Sequence, residues 1–573
     1  MEKRTSVFRF RATGKRALVF VFAIILTLAV AGCGNAGRGQ TSGYGNLSES
    51  EALQSLDALL SKVRIIENDP ILDIYSEGDD EINELPDISK YPITVEGTAP
   101  VDVEIFSSTE KASARDIRGN DGWFNAMAED FNREGLELDG GRRVSVSIRS
   151  IASGEAMDYI VSGAYVPDAF SPANELWGEM IAASSVGIEM VESRLAGNTA
   201  GILMSEQANE DFVAKYGEIR LDKVLDAAIA GDLMLGYTNP YASSTGLNML
   251  TAMLQSFDPT NPLSKAASGK LLQFQALAPP VAYTTAQMRE SAKNGVLDAM
   301  VMEYQAYINE PTLRDFVFTP FGVRHDSPVY VFQGISNEKR QALQLFIDYC
   351  KTAPAQKEAT NRGFNANDSF PGEKLNMGGA ELFSAQQIWK ENKDGGRPVV
   401  AVFIADISGS MAGAPINELK SSLINAAKYV SDSNYIGLVS YDETVYIDLP
   451  IGQFDARQKA YFTGAVRNLL EGGSTATYDA VLVGLKMLND KKAEIQNAKL
   501  MLFVLSDGEQ NKGYELSKIE PVVAGMKVPV HTIGYNANLD ELGRISSINE
   551  ASTINAGSED VVYALRNMFR AQM

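Results

Sequence analysis

Three oxygen-bearing side chains follow one strongly apolar run in the last third of the chain. The run "VVAVFIAD" (399–406) has seven apolar residues in eight. It predicts a strand covered on both faces, as in a parallel sheet with helices on either side. Asp406, Ser408 and Ser410 come at its carboxyl end, which is the edge where open α/β sheets bind ligands. Small oxygen donors spaced two apart at this edge indicate a common partner.

Two further polar segments end at the same edge of the predicted sheet. "EGGSTATYDA" places Thr475 after a glycine pair at a helix start, and "VLSDGEQN" places Asp507 at the end of another buried strand. Two carboxylates and three hydroxyls suit a hard divalent cation, because Mg²⁺ takes near-octahedral oxygen ligation and usually keeps waters. We therefore predict a site for Mg²⁺, with Mn²⁺ or Ca²⁺ as alternatives, formed by Asp406, Ser408, Ser410, Thr475 and Asp507.

The order of these five residues resembles the metal-ion-dependent adhesion site of von Willebrand factor type A (VWA) domains, over roughly residues 397–573. The resemblance implies a doubly wound, Rossmann-like α/β domain. It implies that the first Asp holds waters or hydroxyls around the ion, that the Ser and Thr hydroxyls coordinate it, and that the second Asp acts through water. It also implies an open coordination position for a carboxylate of a protein partner.

Other interpretations of the same residues are available. Asp and Ser after a strand also serve as turn formers and helix caps, and Thr477 fits a helix cap better than a metal ligand. The sequence lacks the groups that common catalytic sites need. No phosphate-binding G-x-x-x-x-G-K-[ST] loop occurs, and both histidines, His325 and His531, are predicted to be satisfied core or loop residues. The net charge of −22 repels nucleic acid phosphates. These features predict a binding protein rather than an enzyme, without nucleic acid as partner.

The N-terminus indicates export and membrane attachment. Residues 1–32 combine six basic residues with the uncharged run 17–32, which is shorter than the roughly 20 residues of a membrane span and suits a signal peptide. "LAVAGC" resembles the lipobox of bacterial lipoproteins, which implies cleavage before Cys33 and acylation of its thiol. We expect a lipid-anchored protein on the extracytoplasmic face of a bacterial cell membrane. Cys350, in an apolar-periodic segment, is expected to be a buried and inert thiol.

The chain divides into five predicted parts. Residues 1–32 are the signal peptide, and residues 33–97 are the lipidated Cys and an acidic tether that contains a short helix capped by Ser48 and Glu51. Residues 98–385 form a second α/β unit, long enough for two lobes. Residues 386–397, charged and rich in glycine, are the predicted linker, and residues 398–573 are the VWA domain.

The middle unit places Ser and Thr at three strand-to-helix turns, in "FSSTEKASA", "PDAFSPANELWGEM" and "YASSTG". Free N–H groups at a helix start, with hydroxyls beside them, can hold an anion or a carboxylate. The layout resembles periplasmic-type solute-binding proteins with two crossovers between lobes, although these residues also serve as ordinary helix caps. The candidate solute-binding residues are Ser107, Ser108, Ser171, Ser243, Ser244 and Thr245.

The chemistry of the solute stays open at this point. Hydroxyl clusters suit oxyanions, aromatic neighbours such as Trp177 and Tyr237 suit a sugar or peptide, and acidic neighbours such as Glu303 suit a cation. The leading hypothesis is a membrane-anchored surface protein that binds a protein partner through Mg²⁺ and a small solute through its middle domain. The alternative is the solute receptor of an ABC transporter, with the VWA domain as an assembly module.

Overall fold

The computed structural model describes residues 47–555 except 73–84, 86, 92, 114–121, 278, 280, 283–287, 289–298, 394, 396, 428–429, 509, 536–538 and 549–552. The predicted signal peptide (1–32) and the predicted lipidation site, Cys33, lie outside the described residues. Within them, no helix is both long enough and apolar enough to span a membrane.

Helices and strands alternate along most of the chain, as the sequence predicts. The helices are α1 (Glu49–Leu60), α2 (Thr109–Ala112), α3 (Trp123–Glu134), α4 (Ser153–Ser162), α5 (Leu176–Ala183), α6 (Glu206–Tyr216), α7 (Leu221–Ile229), α8 (Ser244–Phe257), α9 (Lys265–Gln275), α10 (Tyr304–Ile308), α11 (Asn337–Cys350), α12 (Ala353–Asn361), α13 (Gly379–Asn392), α14 (Ala414–Ala427), α15 (Ala456–Arg467), α16 (Thr477–Glu494), α17 (Leu516–Met526) and α18 (Leu539–Ile548). The strands are β1 (Ile65–Glu67), β2 (Ile93–Val95), β3 (Val101–Ser107), β4 (Val144–Ser150), β5 (Ala169–Ser171), β6 (Ile188–Glu192), β7 (Thr199–Met204), β8 (Leu235–Thr238), β9 (Val281–Ala282), β10 (Ala299–Glu303), β11 (Val317–Arg324), β12 (Val329–Phe332), β13 (Val399–Asp406), β14 (Tyr435–Tyr441), β15 (Val445–Gln453), β16 (Lys499–Ser506), β17 (Val530–Gly534) and β18 (Thr553–Asn555).

The C-terminal domain contains a seven-stranded sheet in the order β1-β15-β14-β13-β16-β17-β18. β13 lies in the middle and pairs in parallel with both β14 and β16. Its side chains enter two different cores: Phe403 and Ala405 belong to one, while Val402 and Ile404 belong to the other. Helices therefore cover both faces of the sheet, and the predicted doubly wound α/β fold is confirmed.

The middle domain has two lobes, each built on its own sheet. The first sheet has six strands in the order β2-β4-β3-β5-β12-β6, and the second has five in the order β11-β7-β10-β8-β9. β12 returns the chain to the first sheet, where it pairs with β5 and β6. Cys350 at the end of α11 packs fully buried in the core of this lobe, and burial raises the pKa of its thiol. The two-lobed architecture and the inert thiol agree with the sequence analysis.

Residues 47–68, which we name the N-terminal arm, pack on the C-terminal domain. α1 begins at the predicted capping box, where Glu51 N donates to Ser48 Oγ at 3.3 Å and Ser48 N donates to Glu51 Oε2 at 2.9 Å. Ala52 and Leu56 are fully buried in the core formed with α16 and α17. β1 then adds a strand to the edge of the sheet, in parallel with β15. This part of the predicted tether (33–97) is therefore a folded element, because its apolar stripe has a surface to cover.

The predicted linker, residues 386–397, is shorter in the structure. α13 continues to Asn392, and Trp389 is fully buried with its Nε1 donating to Tyr237 Oη at 2.8 Å. The glycines and charges that suggested a linker begin only after this helix. The apolar side of α13 belongs to the middle domain, and the connection between the domains starts at Lys393.

Candidate metal centre and solute cleft

The five predicted metal-site residues lie on three loops at the carboxyl edge of the C-terminal sheet. β13 ends at Asp406, and a 3₁₀ turn with Ser410 follows it. Two backbone hydrogen bonds join this turn to the glycine loop before Thr475, from Gly409 N to Gly473 O at 3.1 Å and from Gly472 N to Ile407 O at 2.7 Å. The folded chain thereby brings the first two predicted segments together.

The third loop, which carries Asp507, holds Thr475 from its other side. Asn511 Oδ1 accepts a hydrogen bond from Thr475 N at 2.9 Å, and Asn511 N donates to Thr475 O at 3.1 Å. Asp507 follows β16, the parallel neighbour of β13, and its charge is close enough to raise the pKa of Asp406. All three predicted segments therefore meet at one edge.

Asp406 is fully buried, and three hydrogen bonds hold its carboxylate. Ser408 N donates to Oδ1 at 2.8 Å, while Ser506 Oγ and Tyr441 Oη donate to Oδ2 at 2.6 and 3.1 Å. Burial raises the pKa of Asp406 above its ordinary value, and the Asp507 charge adds to this rise. The hydrogen bonds from Ser408 and Ser506 act in the opposite direction. The fold fixes this carboxylate in one orientation and makes its negative charge costly.

The remaining donors of the site differ in exposure. Ser408 Oγ and Ser410 Oγ lie 3.1 Å apart, with Ser408 buried and Ser410 exposed to solvent. Thr475 is buried, and Asp507 is half-buried. The site therefore has a protein-bound inner side and an outer side that a second molecule can reach.

Asp507 carries the observation that tests whether a cation fits. Among the described residues, its Oδ1 is buried and has no hydrogen-bond partner. Leaving a buried charged oxygen unsatisfied costs more than the 1–3 kcal/mol, roughly, of a neutral group. A hard cation, directly or through its water, would satisfy this oxygen. Among the described residues no cluster of three or more His, Cys, Asp or Glu occurs. The other candidate ligands at this edge are the hydroxyls of Ser408, Ser410 and Thr475.

Sequence reasoning missed two residues that hold Asp406 and misassigned a third. Tyr441 and Ser506 are its hydroxyl donors; Ser506 directly precedes Asp507, so the motif itself contained that signal. Thr477 does not cap α16, whose N-cap is Ala476. Its Oγ1 lies 3.1 Å from Tyr441 Oη instead. Thr477 therefore supports the site through its contact with Tyr441.

The middle domain contains two neighbouring serine hydroxyls that have no hydrogen-bond partner among the described residues. Ser107 and Ser171 end the parallel strands β3 and β5 and are paired in register. Both Oγ atoms are buried, and neither has a hydrogen-bond partner within the described part of the chain. Ser108, also predicted, accepts a hydrogen bond from Lys111 Nζ and donates to Glu110. The first two hydroxyls are available to a ligand, while the third is committed to a buried charge network.

Lys111 is the centre of that network. Its side chain is fully buried, and Nζ also donates to the carbonyl oxygens of Ser171 and Pro172, at 2.8 and 3.3 Å. Burial lowers the pKa of Lys111 to about 8, while the carboxylates of Glu110 and Glu303 act in the opposite direction. An ammonium group whose three protons are all engaged fixes the cleft floor rather than reaching for a solute.

The three predicted residues at the start of α8 have different roles. Ser243 caps the helix, accepting from Gly246 N at 3.4 Å. Ser244 Oγ accepts from Trp177 Nε1 at 2.8 Å and donates to Ser153 Oγ at 3.2 Å, which joins the two lobes. The cap interpretation is thus correct for Ser243, and Ser244 is a lobe-to-lobe contact.

Thr245 contacts the buried carboxylate of Glu303, which in turn contacts His325. Thr245 Oγ1 donates to Glu303 Oε1 at 3.0 Å, and His325 Nδ1 lies 2.8 Å from the same oxygen. His325 Nε2 is within 3.1 Å of amide groups of Asn174 and Asn248. His325 is therefore a satisfied core residue, as predicted.

His531 is the second histidine, and it lies inside the C-terminal core. Its ring stacks on Phe503 with centroids 5.1 Å apart. Burial lowers the pKa of His531 to about 3, so its ring stays neutral at physiological pH. The prediction that His531 is a core residue agrees with this packing.

Comparison with known families matches both domains. Residues 401–569 match the von Willebrand factor type A domain, and residues 119–365 match the bacterial extracellular solute-binding protein family. The chain therefore contains a solute-binding domain and a VWA domain. The resemblances to VWA domains and to solute-binding proteins are confirmed. The N-terminal arm lies outside both matched ranges, although it is folded onto the VWA domain.

Individual relatives share only parts of this chain. Inter-alpha-trypsin inhibitor heavy chain H3 of Mus musculus is 29% identical over 157 residues, which cover 25% of this chain and 18% of that protein. A von Willebrand factor type A structure from Catenulispora acidiphila covers 31% of this chain and 43% of its own, with 18% identity and a TM-score of 0.28. The sulfate-binding protein SubI from Mycobacterium tuberculosis H37Rv covers 50% and 91%, with 13% identity and a TM-score of 0.34.

Proposed function

We propose that this protein is a membrane-anchored, extracytoplasmic binding protein whose VWA domain binds a protein partner through a divalent cation. Mg²⁺ is the proposed ion, because the donors are oxygens only and two of them are carboxylates. The observation that supports the proposal most directly is the buried Oδ1 of Asp507, which has no hydrogen-bond partner among the described residues, beside the fully buried Asp406. The proposed activity is adhesion and not catalysis.

The residues of the site have separate roles in this proposal. Ser408, Ser410 and Thr475 would hold the ion through their hydroxyls, and Asp507 would hold it directly or through water. Asp406, fixed by Ser506 and Tyr441, would orient the inner waters and hydroxyls. When bound, the ion supplies a Lewis-acidic position for a carboxylate of the partner. Ser410, exposed at the outer side, marks where that carboxylate would approach.

Binding of Mg²⁺ to the full-length protein tests the proposal by isothermal titration calorimetry. Asp507→Asn keeps the shape of the side chain and removes its charge, so Mg²⁺ affinity should fall at least about tenfold. Asp490→Ala is the matched control, since Asp490 is an exposed carboxylate on α16 that pairs with Lys486. Equal Mg²⁺ affinity in the wild type and the Asp507 variant would refute the proposed metal site.

The solute-binding domain is proposed to bind a small polar solute between its lobes. The supporting observation is the pair of buried hydroxyls of Ser107 and Ser171, side by side and without partners among the described residues. A thermal-shift screen of small polar solutes should find a ligand whose stabilisation is lost in Ser171→Ala. Ser162→Ala, at the exposed end of α4, is the control. A ligand that stabilises all three proteins equally would place the site elsewhere.

A role as solute receptor of an ABC transporter is the second candidate, favoured by the family match over residues 119–365. Solute uptake by cells separates the two functions. Under this alternative, Ser107→Ala and Ser171→Ala lower uptake while Asp507→Asn leaves it unchanged. Unchanged uptake in cells that lack the protein would exclude the receptor role.

A further inference from the structure

The N-terminal arm is held tightly against the VWA domain at a helix-to-helix contact. α1 packs on α16 and α17, with Ala52 and Leu56 fully buried. A Cβ atom added to Gly525 of α17 would lie 2.6 Å from Ala52 Cβ and 3.2 Å from Leu47 O. The two helices therefore approach so closely that only glycine fits at this position of α17.

A tyrosine connects the end of α1 to the loop that carries Asp507. Tyr514 Oη donates to the carbonyl oxygen of Leu59 at 3.0 Å, and Tyr514 N donates to Asp479 Oδ1 at 2.9 Å. Gly513 has a φ of +78°, and a Cβ there would lie 2.6 Å from Asp479 Oδ1. The turn before Tyr514 is thus pressed between the arm and the first turn of α16.

The same loop holds the backbone of the candidate metal ligand Thr475. Asn511 N and Lys512 N both donate to Thr475 O, at 3.1 and 3.0 Å, and Asn511 Oδ1 accepts from Thr475 N at 2.9 Å. Gln510 Nε2 donates to Lys512 O at 2.7 Å and also bonds Tyr514 O. One continuous set of hydrogen bonds therefore runs from Leu59 in the arm to Thr475.

We propose that the N-terminal arm is a positioning element of the metal site, acting through Tyr514 on the loop 507–514. The inference rests on the proposed metal site. With the arm docked, Tyr514 holds the loop so that Asp507 and Thr475 face the ion together. With the arm displaced, the loop loses its outer support, and the two ligands move independently. The affinity of the VWA domain for its cation, and through it for a partner, depends on the arm.

Two variants of the full-length protein test the connection between the arm and the loop, one by changing the loop and one by changing the surface on which the arm packs. Tyr514→Phe removes the hydroxyl that bonds Leu59 O and keeps the ring. Gly525→Ala displaces α1 while adding a residue that favours α17 itself. Each should raise the Kd for Mg²⁺ about threefold to tenfold, less than the 10–100-fold typical of direct supports of a ligand. Tyr461→Phe, on the far helix α15, is the control and should bind as the wild type does.

Hydrogen exchange, measured without metal, gives an independent readout. The amide protons of Asn511 and Lys512, which bond Thr475 O, should exchange faster in Tyr514→Phe and Gly525→Ala than in Tyr461→Phe. Wild-type Mg²⁺ affinity and unchanged exchange in both variants would overturn the role of the arm and leave the metal site standing. A wild-type protein that binds no Mg²⁺ would overturn the metal site, and the inference with it, whatever the exchange shows.

Discussion

Removing the Asp507 carboxylate should stabilise the VWA domain without metal and remove its stabilisation by metal. The reason is the buried Oδ1, which has no hydrogen-bond partner in the part of the chain that the structure describes. Asp507→Ala deletes this oxygen at a half-buried position, where little packing is lost. Without metal, the free energy of unfolding should therefore rise by about 1–3 kcal/mol.

The same substitution should abolish stabilisation by Mg²⁺. At a Mg²⁺ concentration of about a hundred times Kd, binding adds about 2.7 kcal/mol to the free energy of unfolding of the wild type. For a domain of about 200 residues, each kcal/mol shifts Tm by about 2–4 °C, so Mg²⁺ should raise Tm by about 5–11 °C. The order of stability of the two proteins should therefore reverse, or the gap between them close, on adding the ion.

Differential scanning calorimetry, in EDTA and then in Mg²⁺, measures both effects. Tryptophan fluorescence identifies the unfolding transition of the solute-binding domain, because Trp123, Trp177 and Trp389 all lie in that domain. That transition should not move. Asp490→Ala should follow the wild type in both buffers. An Asp507→Ala protein that is less stable in EDTA, or that keeps the full Mg²⁺ shift, would show that Asp507 is a structural residue and not a ligand.

Three further predictions concern other charged or reactive groups. Burial raises the pKa of Asp406, so Mg²⁺ must displace a proton below that pKa. The affinity for Mg²⁺, measured calorimetrically, should be constant above the raised pKa and fall by up to about tenfold per pH unit below it. Without metal, the stability of the domain changes with pH in the opposite direction. The folded state binds the Asp406 proton more tightly than the unfolded chain does. The free energy of unfolding should therefore decline as pH rises from the ordinary Asp range to the raised pKa of Asp406, and stay level above it. Lys111→Met leaves Glu110 and Glu303 without their buried cation and should destabilise the solute-binding domain by about 3–5 kcal/mol, measured by tryptophan fluorescence in urea. Cys33→Ser should move the protein from the membrane fraction to the medium, and an unchanged membrane fraction would refute lipid anchoring at this residue.

The sequence predicted those features of the VWA domain that depend on local pattern. The apolar run before Asp406 set both the strand and its burial on two faces. The end of the parallel strand β16 placed Asp507 at the same edge, and the glycine pair at a helix start marked Thr475. Ser48 and Glu51 likewise predicted the start of α1 through a contact between residues three apart. In each case the sequence pattern and the structure that it specifies lie within one helix or strand, or follow from the way that strands are arranged in a sheet.

Features that depend on distant partners were not visible in the sequence. Tyr441 and Ser506 contact Asp406 across 35 and 100 residues, and Tyr514 contacts Leu59 across 455. No local pattern marks the hydroxyl of Tyr441 or Tyr514 as the partner of so distant a group, whereas Ser506 stands next to the predicted ligand Asp507. The same reason explains the arm: its apolar stripe predicted a helix, but nothing in the neighbouring residues identified the surface that it covers.

The boundary after the solute-binding domain shows how composition can mislead. The segment around Trp389 is charged and ends in glycines, which is typical of a linker. One side of α13 nevertheless packs into the domain through Trp389 and Tyr237. A boundary prediction therefore needs the periodicity of the helix as well as its average composition.

The N-terminal arm and the rest of the VWA domain lie on either side of the solute-binding domain in the chain, so they are synthesised at different times. Asn68, at the end of the arm, bonds Asp448 across 380 residues. At about 5–20 residues per second, a ribosome needs roughly 20 to 75 seconds to deliver that partner after the arm has been made. The solute-binding domain can complete its own folding in that interval. The nascent arm meanwhile presents its leucines to solvent, so it is the segment on which we expect a chaperone to act.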